Sequence, residues 1–167
     1  MTRPPIFLLL LAASLLSACG LRPLYGSGER STVAATLRSV EVAPIPGQAG
    51  WLVRNELVDR LGPADGKATY RLVITLDDDI TAFGIRRDRA ATRERRTLRA
   101  RYQLVSVATG LVVLDATAGS DAGIDIVSSE YATVAAEQTA LEHLAGTIAD
   151  QIVARIGMYA ARGTAAQ

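Results

Sequence analysis

Two stretches in which apolar and polar side chains alternate strictly constrain the fold of this chain most. An alternation with a period of two residues is the pattern of a strand with one face in the core and the other in solvent. The first stretch spans residues 68–77, and the second begins at Leu98. The apolar positions are Tyr70, Leu72, Ile74 and Leu76 in the first stretch, and Leu98, Ala100, Tyr102 and Leu104 in the second. Both stretches are therefore predicted to be half-buried strands.

Further strands are indicated on both sides of this pair. The turn residues 108–110 follow the second stretch, and residues 111–117 run back as its hairpin partner. The three strands together predict an antiparallel meander. An earlier β-branched stretch is broken by two prolines and is predicted to be the first strand of the chain. Its apolar residues are Leu37, Val40, Val42 and Ile45, and its prolines are Pro44 and Pro46.

Two segments have the spacing of amphipathic helices. The first spans residues 48–61 and ends at Gly62 and Pro63. The second is capped by Ser128 or Ser129 and is predicted to end near Gly157. Its apolar stripe consists of Val134, Leu141, Leu144, Ala145, Ile148, Ile152 and Ile156. The order β-α-β-β-β-α predicts an α+β fold, in which two helices pack on one face of a four-stranded, mostly antiparallel sheet.

The N-terminus has the pattern of an export signal. Arg3 precedes an apolar run from Ile6 to Leu16, which is too short to span a bilayer. The run ends in Leu16, Ser17, Ala18 and Cys19, which resembles a bacterial lipobox. In a lipobox the peptide is cut before the cysteine, whose thiol and new amine are acylated. The alternative is an ordinary secretory signal cut near Ala18, although it would leave the single cysteine of the chain as a free thiol.

The predicted organisation follows from this signal. Residues 1–18 form the signal peptide, residues 19–33 a lipidated tether, residues 34–160 one α+β domain, and residues 161–167 a flexible tail. The 149 residues left after cleavage suit a single core. Because Gly20 follows the cysteine, the usual sorting rule for bacterial lipoproteins implies the outer membrane, with the domain facing the periplasm.

The charge distribution is uneven although the net charge is small. Residues 86–101 contain eight arginines and two acids, whereas residues 115–150 contain seven acids and neither Lys nor Arg. Such arginines often lie on a solvated surface without binding a partner, or prevent an edge strand from pairing with other chains. Guanidinium groups also bind phosphate bidentately, and a cluster of them raises the local concentration of anions. An anionic partner is therefore predicted, with lipid A phosphates and acidic protein surfaces as the candidates and nucleic acid excluded by the location.

Motifs for catalysis are missing from the sequence. His143 is the single histidine and has no cysteine or second histidine with which to bind a metal. The run 77–79 of three aspartates lacks the glycine and the distal glutamate of a calcium loop. The chain contains neither a phosphate-binding loop nor a nucleophile turn. We expect no enzymatic activity, no metal and no cofactor.

Four groups of residues resemble one known family in order and spacing. They are Cys19 to Gly26 after the signal, Arg54 to Leu57 with Tyr70 to Leu76, Tyr102 to Leu104 with Thr109 and Gly110, and Ile126 to Ala132. Together they are similar to the alphaproteobacterial lipopolysaccharide-assembly lipoproteins of the LptE family. The resemblance implies a non-catalytic plug of the outer-membrane β-barrel LptD, which helps to deliver lipopolysaccharide to the outer leaflet.

The resemblance also implies where lipopolysaccharide would bind. In the family, basic residues near the tip between the middle strands are thought to touch it, and Arg86 and Arg87 lie nearest that position, with Arg93, Arg95 and Arg96 as neighbours. A second basic position near the last helix has no counterpart, because Ser128, Ser129 and Glu130 stand there. Two alternatives stay open. The chain could be an accessory lipoprotein of another ABC-type lipid-transport system, or its arginines could pair only with acids in the barrel lumen.

Overall fold

The computed structural model describes residues 32–63, 66–85, 91–127 and 129–165. The predicted signal peptide, Cys19, Arg86, Arg87 and Ser128 lie outside these ranges. Within these ranges, three helices and four strands follow one another along the chain. They are α1 (Thr32–Arg38), β1 (Val40–Val42), α2 (Gly47–Leu61), β2 (Tyr70–Ile85), β3 (Ala91–Ser106), β4 (Val112–Asp125) and α3 (Glu130–Ala165).

The four strands form one sheet in the order β1-β2-β3-β4. The short strand β1 pairs with β2 in parallel, and α2 makes the crossover between them. Strands β2, β3 and β4 pair antiparallel as the predicted meander, with a tight turn before Gly110, whose φ is 70°. The helices cover one face of the sheet, and the predicted α+β class is confirmed.

The start of the domain differs from the prediction. Leu37, which the sequence assigns to the first strand, lies in helix α1, and the strand itself is only Val40–Val42. Val33 and Leu37 are four residues apart, so one face of α1 places both in the core. This contact outweighs the β-branched character of the stretch and adds a helix to the predicted element order.

The antiparallel strands are much longer than predicted. Strand β2 continues past the predicted end near residue 77 to Ile85, β3 begins at Ala91 rather than near Leu98, and β4 continues beyond residue 117 to Asp125. We call residues 77–85, 91–98 and 118–125 the arm. The apolar alternation fades there because ion pairs and cross-strand contacts replace apolar burial on much of its surface. The periodicity of the sequence therefore shows only the half of the sheet outside the arm, which we call the proximal half.

Helix α3 supplies the largest share of the helical layer. Its N-terminus is capped as predicted, since Ser129 Oγ accepts a hydrogen bond from the N–H of Ala132 at 3.4 Å. The helix passes through Gly157, where it was predicted to end, because Ala160 is buried and the Tyr159 ring meets Tyr70 edge-on at 6.3 Å. Val134, which the sequence places in the apolar stripe, is exposed. The fully buried residues below the helices include Val53, Leu57, Leu72, Leu98, Leu104, Leu141, Ile148, Ile152 and Ile156.

Candidate binding surface

The side of the sheet opposite the helices, which we call the open face, carries a column of arginines. Because Leu98, Ala100, Tyr102 and Leu104 of β3 point into the core, the odd-numbered residues of this strand point away from it. Four of these residues are arginines and all are exposed: Arg93, Arg95, Arg99 and Arg101. The open face therefore holds four of the five arginines of β3.

Three of the four arginines are paired with aspartates of the neighbouring strand β4. The distances from nitrogen to oxygen are 2.8 Å for Arg93 to Asp125, 3.9 Å for Arg95 to Asp121 and 3.1 Å for Arg101 to Asp115. The hydrogen bonds that Asp115 accepts, first from Arg101 and then from Gln103, lower the pKa of its carboxyl below the usual value. An anionic ligand on this face would therefore compete with carboxylates that already hold the guanidinium groups.

Arg99 is held differently from the other three. Among the residues that the structure describes, it has no ion-pair partner within 4.0 Å. Its guanidinium lies across Gly119, where a Cβ atom would come within 2.5 Å of Nη1. Arg95, next along the column, stacks on the ring of Phe83 with 5.4 Å between its Cζ atom and the ring centroid. The absence of a side chain at Gly119 thus makes room for a cation on the open face.

Arg96 lies on the other face of the arm and has a different environment. Its Nε and Nη2 donate to the two carboxylate oxygens of Asp78 at 2.8 and 2.6 Å, and its Nη1 donates to the carbonyl of Glu137 in α3 at 3.1 Å. Only 12% of the Arg96 side chain is exposed. The two bonds to Asp78 join β3 to β2, and the bond to Glu137 joins both strands to the helix. Arg96 therefore fastens the arm to the helical layer.

A carboxyl pair lies beside this clasp. Glu94 also points to the helix side of the arm, where burial raises the pKa of its carboxyl and the nearby Glu137 raises it further. One Glu94 oxygen is buried with no hydrogen-bond partner among the described residues. The contact between arm and helix therefore combines the favourable hydrogen bond from Arg96 to the Glu137 carbonyl with an unfavourable crowding of two acids.

The predicted site residues thus divide into three groups. Arg93 and Arg95 share the open face, Arg96 lies on the opposite face, and Arg86 and Arg87 fall outside the described residues. Although the sequence groups Arg93, Arg95 and Arg96 as neighbours, Arg96 does not share a face with the other two. The prediction missed the aspartates of β4 as partners of the arginines. The hairpin turn at residues 108–110 could have shown them, because folding the chain back at that turn brings Asp115 near Arg101.

Other possible sites are weaker. His143 lines a polar groove between α2 and α3 in which Arg60 bonds Asp150 at 2.6 Å and also pairs with Glu56. Across residues 32–63, 66–85, 91–127 and 129–165, no three His, Cys, Asp or Glu side chains are grouped so that they could hold a metal ion. Within the same ranges no helix has the length and apolarity needed to cross a membrane.

Comparison with known proteins gives one family and several similar folds. The model of a family described as LptE, lipopolysaccharide-assembly, matches residues 37–156. No curated protein matches the chain. A lipoprotein from Caulobacter crescentus CB15 is 25% identical with a TM-score of 0.66, over 77% of this chain and 96% of its own.

Two more distant structures share the fold. Rare lipoprotein B from Shewanella oneidensis is 10% identical with a TM-score of 0.57, over 77% of this chain and 98% of its own. A minor lipoprotein from Acinetobacter baumannii is also 10% identical, with a TM-score of 0.56, over 72% of this chain and 92% of its own. The match therefore takes in nearly the whole length of each of these proteins.

Proposed function

The chain belongs to the LptE family of lipopolysaccharide-assembly proteins, and from this premise we propose that it is a non-catalytic partner of the outer-membrane β-barrel LptD. In this role it assists the delivery of lipopolysaccharide to the outer leaflet. The observation that carries the proposal is the family match over residues 37–156, a range that includes all four strands, α2 and most of α3. The similar folds, three of them named as lipoproteins, support an envelope lipoprotein.

The anchor of the proposal is Cys19. Acylation of this residue would hold the domain at the periplasmic side of the outer membrane, because each acyl chain adds about 0.8 kcal/mol per buried CH₂ and two or three chains bind stably. The compact domain, with one bare face of paired charges, has the properties of a plug that contacts a polar barrel lumen rather than lipid.

The proposal is tested by extracting the tagged chain from its native membrane in mild detergent and identifying the proteins that accompany it. We expect LptD in a near one-to-one amount, and a Cys19 peptide with the mass of an acylated N-terminal cysteine. Recovery of an inner-membrane transporter instead of the barrel would favour an accessory lipoprotein of an ABC-type system. An unmodified Cys19 would contradict the proposal that acylation of this residue holds the domain at the membrane.

Lipopolysaccharide contact is the finer part of the proposal. We assign it to Arg93 and Arg95, which are exposed on one face of the arm, and to Arg86 and Arg87, for which the family resemblance implies this role. For Arg96 the contact stays a prediction, since its guanidinium is already held by Asp78 and Glu137.

A triple alanine variant tests this assignment. Replacing Arg86, Arg87 and Arg93 should weaken the binding of purified lipopolysaccharide, and should remove much of the gain in affinity that the parent shows as salt falls. The matched control removes three arginines elsewhere: Arg54, Arg71 and Arg162. Equal affinities of the two variants would contradict a site on the arm and favour a purely structural role for its arginines.

A further inference from the structure

Strand β4 lies at an edge of the sheet. It pairs with β3 on one side, and none of the other strands that the structure describes pairs with it on the other side. In an antiparallel pair, alternate residues direct both their N–H and C=O groups away from the partner strand. Gly119 shows which residues these are, because both of its backbone groups bond to a side chain outside the ladder. By the same alternation, Thr117, Asp121 and Gly123 also direct their backbone groups outwards.

The side chain that bonds Gly119 is the carboxamide of Gln151 in helix α3. Gln151 Oε1 accepts from the Gly119 N–H at 3.1 Å, and Gln151 Nε2 donates to the Gly119 carbonyl at 3.2 Å. A carboxamide has the same donor and acceptor as a peptide unit. Gln151 therefore bonds the backbone groups of Gly119 in the way that a neighbouring strand would bond those of every outward-directed residue. At Asp121 and Gly123, the described residues provide no such hydrogen bond.

The edge is only weakly protected against pairing. Exposed edges are commonly protected by charged side chains, prolines or bulges. Here the three aspartates of β4 are ion-paired with arginines of β3, and two of the outward-directed positions are glycines. No proline occurs in the strand, and its register shift lies at the far end, near Val112. A strand can therefore approach β4 along residues 117–125.

The charges of β4 indicate what kind of strand fits. The strand contains three aspartates and no Lys or Arg, so a second copy of it would place carboxylates against carboxylates. A strand with Lys or Arg at alternate positions would instead share Asp115, Asp121 and Asp125 on the open face. On the helix side it would meet a groove of about 470 Å³ whose lining includes Ala116, Gln151, Arg155 and Met158.

We infer that the edge of β4 binds an extended segment of the partner protein that carries basic side chains at alternate positions. The segment adds a fifth strand to the sheet and replaces the Gln151 carboxamide at Gly119. Main-chain hydrogen bonds would supply affinity, and the aspartates would select the segment. The inference rests on the proposed function in that the segment belongs to LptD.

Amide hydrogen exchange of the native complex tests directly whether a fifth strand pairs with β4. In the complex of the full chain with LptD, the amides of Thr117, Asp121 and Gly123 should exchange at least tenfold more slowly than in the free chain. Unchanged exchange in a complex that forms normally would overturn the inference and leave the proposed function standing. Failure to recover any complex with LptD would overturn both.

Two lysine variants test the charge. Asp121→Lys on β4 and Asp79→Lys on β2 change the net charge equally, and both residues pair with Thr97 in the same row of the open face. Recovery of LptD should fall about tenfold for Asp121→Lys and stay near the parent level for Asp79→Lys, with thermal unfolding confirming that both variants fold. An equal recovery of LptD by the two variants would overturn the choice of the β4 edge.

Discussion

Arg93 and Arg96 are three residues apart in the same strand, yet their loss should have very different costs. Arg96 is 12% exposed and its partner Asp78 is 25% exposed, whereas the Arg93 and Asp125 side chains are 63% and 74% exposed. Removing one partner of a buried ion pair costs about 3–5 kcal/mol, but an exposed pair contributes only about 0–1 kcal/mol. The comparison of Arg96→Ala with Arg93→Ala therefore contrasts a largely buried ion pair with an exposed one.

The magnitude follows from the contacts of each side chain. Arg96→Ala leaves Asp78 partly buried without its partner, which we put at about 2 kcal/mol because the pair is not fully buried. It also removes the hydrogen bond to the Glu137 carbonyl, which adds about 1 kcal/mol. The expected loss is about 3 kcal/mol, against about 0.5 kcal/mol for Arg93→Ala.

Urea unfolding of the mature chain in mild detergent measures both losses. With an m-value of about 2 kcal/mol/M, the midpoint should fall by about 1.5 M for Arg96→Ala and by about 0.25 M for Arg93→Ala. Similar shifts for the two variants would refute the argument that Arg96 fastens the arm to helix α3. A small shift for Arg96→Ala with rapid amide exchange confined to the arm would show that the arm unfolds separately.

Three other changes have outcomes that the structure determines. Gly50→Ala should cost about 3 kcal/mol or more in chemical unfolding, because the new Cβ would lie 2.6 Å from the Ile45 carbonyl oxygen, a backbone atom that cannot turn aside. Glu94→Gln should raise the unfolding midpoint at neutral pH, because the raised pKa makes the ionised carboxyl unfavourable in the folded state. The parent should gain stability relative to this variant as pH falls through that raised pKa, and a difference that persists in acid would contradict this cause. Gly119→Ala should displace the Arg99 guanidinium with little loss of stability, which a crystal structure of the variant would check.

The sequence predicts the proximal half of the fold well because apolar burial determines it. The apolar positions of β2 and β3 face the core as the alternation requires, and α2 ends at Gly62 as predicted. The arm was not predicted, since Asp78 and Arg96 occupy helix-side positions where the pattern suggests apolar residues. Arg96 lies two residues before Leu98, and alternate residues of a strand point to the same side of the sheet. Once the length of β3 is known, this alternation therefore places Arg96 correctly on the helix side.

The arginines of the candidate surface could be seen in the sequence, but their pairing could not. The ion pairs of Arg93, Arg95 and Arg101 depend on the register between β3 and β4. The unpaired edge of β4 is a property of sheet order, and the sequence gives no local signal for it. Only Gly119, a small residue within a strand, is a local sign that another group approaches the backbone closely.

Helix α3 also has a consequence for the order in which the chain can fold. Among the described elements it comes last along the chain, and its buried residues complete the core formed by α1, α2 and the sheet. Until it has been synthesised, the apolar face of β2 and β3 has only α1 and α2 to cover it. A partly synthesised chain therefore exposes its most aggregation-prone surface, and the domain can close only when its C-terminal residues are present.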